Sequence, residues 1–235
     1  MCCVSAALGG APSADQVAEG QRLARELRSA GPTGDSEIRG TLIISHGKKK
    51  HIPIICRTIG SGGVWKTIYE SQSADGVPAE RLIITRSPTG VQYAYARAAA
   101  VGAPIPEPRT ISAEQANIPF AQSDFWLTDF GVQFIFWPEQ ARLKGELRLG
   151  RDCYLLESIN PGAAQVVRIK AYIDKENKVP ILAEGYDARN KLVKEFSIHG
   201  SGFKKIKGQW VLEKMDMHNA KTGSQTVLKF DLTKE

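Results

Sequence analysis

The apolar–polar alternation at every second position limits, more than any other feature, what this chain can fold into. It recurs in runs at 37–45 (EIRGTLIIS), 51–59 (HIPIICRTI), 64–71 (VWKTIYES), 81–86 (RLIITR) and 91–97 (VQYAYAR), which are rich in Ile, Val, Tyr and Trp. These residue types suit a pleated surface with one buried face. The links between the runs are short, and a parallel crossover needs about a dozen residues or more, so the neighbours should be antiparallel. Pro53 cannot donate to a ladder, which predicts an edge strand or a bulge at that point. From Arg142 the alternation returns, with strands expected near 144–149, 151–159, 165–174, 179–187, 191–199, 202–206, 209–218 and 224–232. Asp174–Asn177, Asp187–Asn190, Lys207-Gly208 and Asn219–Gly223 carry the turn residues between them. The pattern predicts one continuous, strongly curved antiparallel sheet of ten to twelve strands.

Two stretches break the alternation. Asp15–Ala30 (DQVAEGQRLARELRSA) places Val17, Ala24 and Leu27 on one side and arginines largely on the other. This predicts an amphipathic helix with Asp15 as its N-cap, stopped by Gly31-Pro32-Thr33-Gly34. Residues 98–122 hold four of the twelve prolines and read as a long crossing loop. The segment SDFWLTDFGVQFIFWPEQ follows, with Phe125, Trp126, Phe130, Phe134, Phe136 and Trp137 inside thirteen positions. Trp126, Phe130, Phe134 and Trp137 share a helical stripe, whereas Val132, Phe134 and Phe136 alternate as a strand would. The expectation is a short helix from Asp124 to Phe130 and an extended return ending at Pro138. Helix and insertion together would cover one face of the sheet.

A chain of 235 residues with 42% hydrophobic and 24% charged content can bury a large core. No stretch approaches the roughly 20 apolar residues of a membrane-spanning helix. The net charge of +6 is spread out; its densest clusters, GKKKH at 47–51 and the lysines from Lys191 to Lys214, read as solvated turns and strand faces. With no aromatic-basic RNA-binding motif present, nucleic acid is not an expected partner. Cys56 and Cys153 sit in apolar runs and read as buried free thiols, with a disulfide between them left open. His46, His51, His199 and His218 lack metal-ligand spacing, and Gly60–Gly63 lacks the continuation of a phosphate-binding loop. No nucleophile elbow or paired-carboxylate signature occurs, so neither catalytic residues, a metal nor a cofactor is expected.

The first fourteen residues, MCCVSAALGGAPSA, are uncharged and small or apolar. They look like the latter part of a secretory signal peptide or a disordered tail, with Cys2 and Cys3 as alternative lipidation sites. Residues 15–235 would then form one domain. Within the runs Leu42 and Ile44, Trp65 and Tyr69, Ile169 and Ile173, Met215 and Met217, and Leu228 and Phe230 each share a parity. With Trp126, Phe130 and Phe134 from the insertion they are the candidate wall of an apolar cavity, or else plain core.

Taken in order, the export segment, the helix leading into IRGTLII, and SDFWLTDF, FWPEQARLKG, GRDCYLLES, VVRIKAYIDKENKVP, AEGYDARNKLVKEF and GQWVLEKMDMHNAKTGSQTVLKF resemble the outer membrane lipoprotein-sorting proteins related to LolA and LolB. The resemblance implies a mainly β (α+β) fold, an unclosed half-barrel whose concave face is covered by the N-terminal helix and a helix/loop insertion. It implies a periplasmic, monomeric carrier that shelters the acyl chains of a lipoprotein or lipid and does no covalent chemistry. Inner- or outer-membrane lipoprotein machinery would be its partner. The alternative is a cell-envelope structural or interaction domain with a packed interior and no ligand.

Overall fold

Helix α1 (Ala14–Ser29) begins two residues earlier than an N-cap at Asp15 would allow, because Ser13 is the N-cap. Gln16 N–H donates to Ser13 Oγ at 3.3 Å, and Ser13 N–H donates to Gln16 Oε1 at 2.8 Å. This reciprocal capping box leaves Asp15 in the first turn, where its charge favours the helix dipole. The computed structural model describes residues 11–32, 34–60, 63–160, 162–163, 165–206 and 209–232. Most of the expected export segment, with Cys2 and Cys3, lies outside the described residues, as do Ser61, Gly62 and the Lys207-Gly208 turn.

The strands are β1 (Ser36–Ser45), β2 (Lys50–Ile59), β3 (Trp65–Ser71), β4 (Glu80–Ser87), β5 (Gly90–Arg97), β6 (Arg109–Ile111), β7 (Glu139–Leu143) and β8 (Leu147–Arg148). They continue with β9 (Arg151–Ile159), β10 (Arg168–Asp174), β11 (Pro180–Tyr186), β12 (Leu192–Ser197), β13 (Phe203–Ile206), β14 (Gln209–Leu212), β15 (Lys214–Asn219) and β16 (Gln225–Phe230). Fourteen of them form one antiparallel sheet, more than the ten to twelve expected. The order is β6-β5-β4-β3-β2-β1-β16-β15-β12-β11-β10-β9-β7, with β8 paired to β9. Edges β6 and β7 do not pair with each other, so the sheet is an unclosed half-barrel. The extra strands come from places where the alternation is too short to read. Glu139–Leu143 is already paired before Arg142, and the expected strand at 209–218 breaks at Glu213. Its first half pairs with β13 in a separate hairpin and its second half joins the large sheet.

Pro53 is neither at an edge nor in a bulge. Strand β2 lies between β1 and β3, but pairing with β3 starts only at Ile54, opposite Ser71. The Pro53 carbonyl accepts from Gln72 N–H just past the end of β3. A residue's N–H and C=O point to the same side of a strand, so the missing N–H falls where no ladder bond is required.

The chain starts at the middle of the sheet, runs outward to β6, crosses, and returns from β7 to the middle, where β16 closes on β1. The crossing is residues 112–138, a cover laid over the concave face. Inside it α2 (Leu127–Phe130) is followed at Gln133–Phe136 by a 3-10 turn. The extended return expected after Phe130 is therefore absent. Val132, with φ +47° and ψ 44°, reverses the backbone in the left-handed region and starts the tighter helix. Such a conformation is a genuine outlier for a β-branched residue.

Residues paired directly across strands share a face. The pairs Leu42–Leu228, Leu228–Met215, Ile44–Thr226, Thr226–Met217, Met217–Phe196, Phe196–Ala183 and Ala183–Ala171 carry one apolar face from β1 to β10. Over β1–β5 this face is filled by Phe120, Phe125, Leu127 and Phe130 of the cover. Phe130 sits among Tyr69, Phe120 and Phe125 with ring centroids 4.5–5.5 Å away. Leu23, Ala24 and Leu27 of α1 pack with Phe134, Ile135, Leu156, Ala171 and Ile173. Cys56 lies in the inner core and Cys153 in a smaller cluster on the other face with Leu155 and Tyr172; both are free, so no disulfide joins them. Burial pushes the Cys56 thiol up to about 11.

α1 approaches β7 so closely that a Cβ on Gly20 would lie 2.5 Å from Ala141 Cα. Gly20→Ala is therefore expected to destabilise the fold by about 1–3 kcal/mol, outweighing the roughly 1 kcal/mol by which Ala favours a helix over Gly. The thermal midpoint should fall by about 2–4 °C per kcal/mol. A midpoint that holds or rises in thermal denaturation would contradict this close packing.

Candidate functional site

The concave face is sealed in one half and open in the other, and the difference traces to side-chain size. Beside Ile169 on the inner face, β11 presents the small residues Ala183 and Gly185. They leave a cavity of about 240 Å³ beneath the cover. Its apolar wall includes Trp126, Phe134 and Trp137 of the cover, Ile169 of β10, Phe196 of β12 and Met217 of β15. The β9–β10 loop contributes Asn160 and Val166. A Cβ on Gly185 would come within 3.1 Å of Val166 Cγ1, so the glycine lets that loop close over the sheet.

The thirteen residues singled out by parity and stripe do not share one environment. Trp126, Phe134, Ile169 and Met217 line the cavity. Leu42, Ile44, Met215, Leu228 and Phe230 are buried in the packed half, with Tyr69 and Phe130 against them. Ile173 packs under α1, and Trp65 is buried with the Arg86 guanidinium 5.7 Å from its ring centroid. Trp126, Phe130, Phe134 and Trp137 do not form one stripe, because the helix ends at Gly131 and Phe130 turns into the core.

Polar groups hold the cover to the sheet. Ala121 N–H donates to the buried Glu80 carboxylate of β4 at 2.7 Å. Asp124 accepts from Ser224 Oγ at 2.5 Å and from Thr226 Oγ1 at 2.8 Å. Arg86 of β4 donates to the Gly131 carbonyl. Gln140 Nε2 of β7 donates to the Phe134 and Trp137 carbonyls, both at 3.0 Å, and its Oε1 accepts from Ser158 Oγ. Arg28 of α1 reaches the Ile135 carbonyl at 3.2 Å. The cover is thus tied at points from Ala121 to Trp137.

One of these ties lies in the cavity wall. Lys194 of β12 faces inward beside Gly185, and its Nζ lies 2.5 Å from Asp129 Oδ1 and 3.7 Å above the centroid of the Trp126 ring. Asp129 Oδ2 also accepts Trp126 N–H at 2.7 Å, so one carboxylate caps α2 and pairs with the lysine. Burial pulls the Lys194 pKa below that of a free lysine, and Asp129 opposes that shift. Sequence reasoning missed Glu80, Arg86, Asp124, Asp129 and Lys194. Lys194 carried a usable signal, since it has the parity of Phe196 on a strand whose inward residues should be apolar. Among the described residues no group of three or more His, Cys, Asp or Glu side chains could hold a metal ion, and no helix is long and apolar enough to cross a membrane.

An open antiparallel half-barrel, its hollow covered by a crossing segment and left with an apolar cavity, defines a structural class. A family model described as "Uncharacterized protein" matches residues 105–234, more than half the chain, and the chain belongs to that family. No curated protein matches the sequence. Among solved structures, a DUF1329 family protein from Desulfovibrio piger is 21% identical, with 92% of this chain and 91% of that one covered and a TM-score of 0.70. A domain from Vibrio parahaemolyticus described as an outer membrane lipoprotein-sorting protein is also 21% identical, with 92% of each chain covered and a TM-score of 0.71. A LolA superfamily protein from Nitrosomonas europaea is 15% identical over 92% of each chain, with a TM-score of 0.51. These likenesses establish the fold: it is the one shared by lipoprotein-sorting and LolA superfamily proteins.

Burial raises the Glu80 pKa above the ordinary carboxylate value, more than its bond from Ala121 and the nearby Arg97 lower it. The folded state therefore holds the Glu80 proton more tightly than the unfolded chain does. Its contribution to stability is present below the unfolded pKa and is lost as pH rises through the folded one. Glu80→Gln removes that loss, so the variant's stability relative to the parent should increase between about pH 4 and about pH 8. Urea unfolding of both proteins at the two pH values tests this; a relative stability that falls with pH would mean that the fold favours the carboxylate.

Proposed function

We propose that this protein is a periplasmic carrier that shelters an acyl chain of a lipid or lipoprotein in the cavity under its cover. The observation that carries the reading is the half-open interior itself. A domain built only as a scaffold would gain from a larger side chain at Ala183, yet here a small residue leaves space beneath aromatic rings. At about 240 Å³ the cavity exceeds the roughly 150 Å³ of an engineered cavity that binds benzene and lies just under the ~300 Å³ lower bound of common ligand pockets. In this closed form it suits one short acyl segment, and a longer load requires the cover to rise.

The driving force would be partition. Each methylene transferred from water into an apolar site contributes roughly 0.8 kcal/mol, so a chain of ordinary length binds through contact area alone. No bond is made or broken in such a cycle. Membership of a fold shared with lipoprotein-sorting proteins supports both the cargo class and the periplasmic location.

Native mass spectrometry of the protein purified from its own periplasm should show a co-purifying amphiphile, and Ala183→Leu and Ile169→Trp should each weaken binding of a fluorescent acyl probe by about tenfold or more. Purification without any bound lipid, together with filled variants that bind the probe as the parent does, would remove the carrier reading.

A further inference from the structure

Lys194 is the one cation among the described residues lining the cavity. Its side chain is 9% exposed. An ammonium carries three N–H donors and no acceptor. Asp129 takes one of them. The Trp126 face attracts the charge through its ring quadrupole. Among the described residues Nζ makes no other hydrogen bond. The cavity wall therefore retains donor capacity amid apolar surface from Trp126, Phe196 and Met217.

The charge balance determines which acceptor fits. Asp129 neutralises Lys194, and Glu114 adds a further negative charge to the lining. A second carboxylate brought in by a ligand would be desolvated beside Asp129 with no cation left to balance it, which is costly in an apolar site. A carbonyl oxygen needs no counter-charge and can accept the spare N–H while Asp129 stays bound. Charge and donor count thus favour a neutral acyl group over a free fatty acid.

We propose that the cavity selects a neutral acyl group, an ester or an amide, whose carbonyl oxygen accepts a hydrogen bond from Lys194. This rests on the carrier reading and names the head group that the carrier recognises. Lys194 then determines specificity, and Asp129 acts as a positioning residue that holds the ammonium in the wall.

The test is a matched set of ligands titrated by tryptophan fluorescence at about pH 8, where a free fatty acid is ionised: methyl decanoate, N-methyl decanamide, decanoic acid and undecane. In the native protein the ester or the amide should bind about tenfold more tightly than the alkane, and the acid more weakly than either. The larger of the two names the source, a glycerolipid for the ester or an N-acylated lipoprotein for the amide. In the Lys194→Met/Asp129→Leu variant, which leaves no unpaired buried charge, the ratio of carbonyl ligand to alkane should fall towards one. The ratio is taken within each protein, so a general change in affinity cancels.

Equal binding of carbonyl ligands and alkane by the native protein would overturn the assignment, as would a free acid that binds tightest or a preference that survives in the variant. The native series decides the matter even where the variant does not fold. If no member of the set binds, alkane included, the carrier reading itself has failed; if the alkane binds and the carbonyl adds nothing, only the role of Lys194 has.

Discussion

The structure depends on keeping an apolar face of an open sheet away from water. A closed barrel would do this by pairing its edges, but here β6 and β7 stay apart and a crossing segment takes over the task. Much else follows from that requirement. α1 packs so tightly on β7 that only glycine fits at position 20, Phe130 enters the aromatic cluster with Tyr69, and buried polar groups tie the cover down. Apolar contact alone would let the cover slide. Directional bonds donated by Arg86 and Gln140 and accepted by Glu80 and Asp124 fix where it sits.

Much of the sheet was legible in the sequence because strand parity is geometric. Leu42 and Ile44, Ile169 and Ile173, and Met215 and Met217 lie on the inner face, as a period of two requires wherever a strand is long enough to count. Legibility ended where backbone conformation was not signalled by residue type. Val132 takes a left-handed conformation that glycine or asparagine would have announced, and the expected extended return became a 3-10 turn. Pro53 misled for the opposite reason: its rule concerns a lost donor, and here the neighbouring strand had already ended.

The site was harder to read than the fold. Aromatic density in the insertion identified the cover, but not which rings face the cavity and which are core. That division depends on Ala183, a small residue that carries no signal until its face is known. The charged ties were not legible either, because their partners lie far apart in the chain. Lys194 and Asp129 are 65 positions apart, and Asp124 and Thr226 are 102 apart.

The cover is also the chain's only covalent route between the two free edges of the sheet, since it starts where β6 ends and stops where β7 begins. Two edges that no ladder joins therefore keep their spacing through this one segment and the polar ties that fasten it to the sheet.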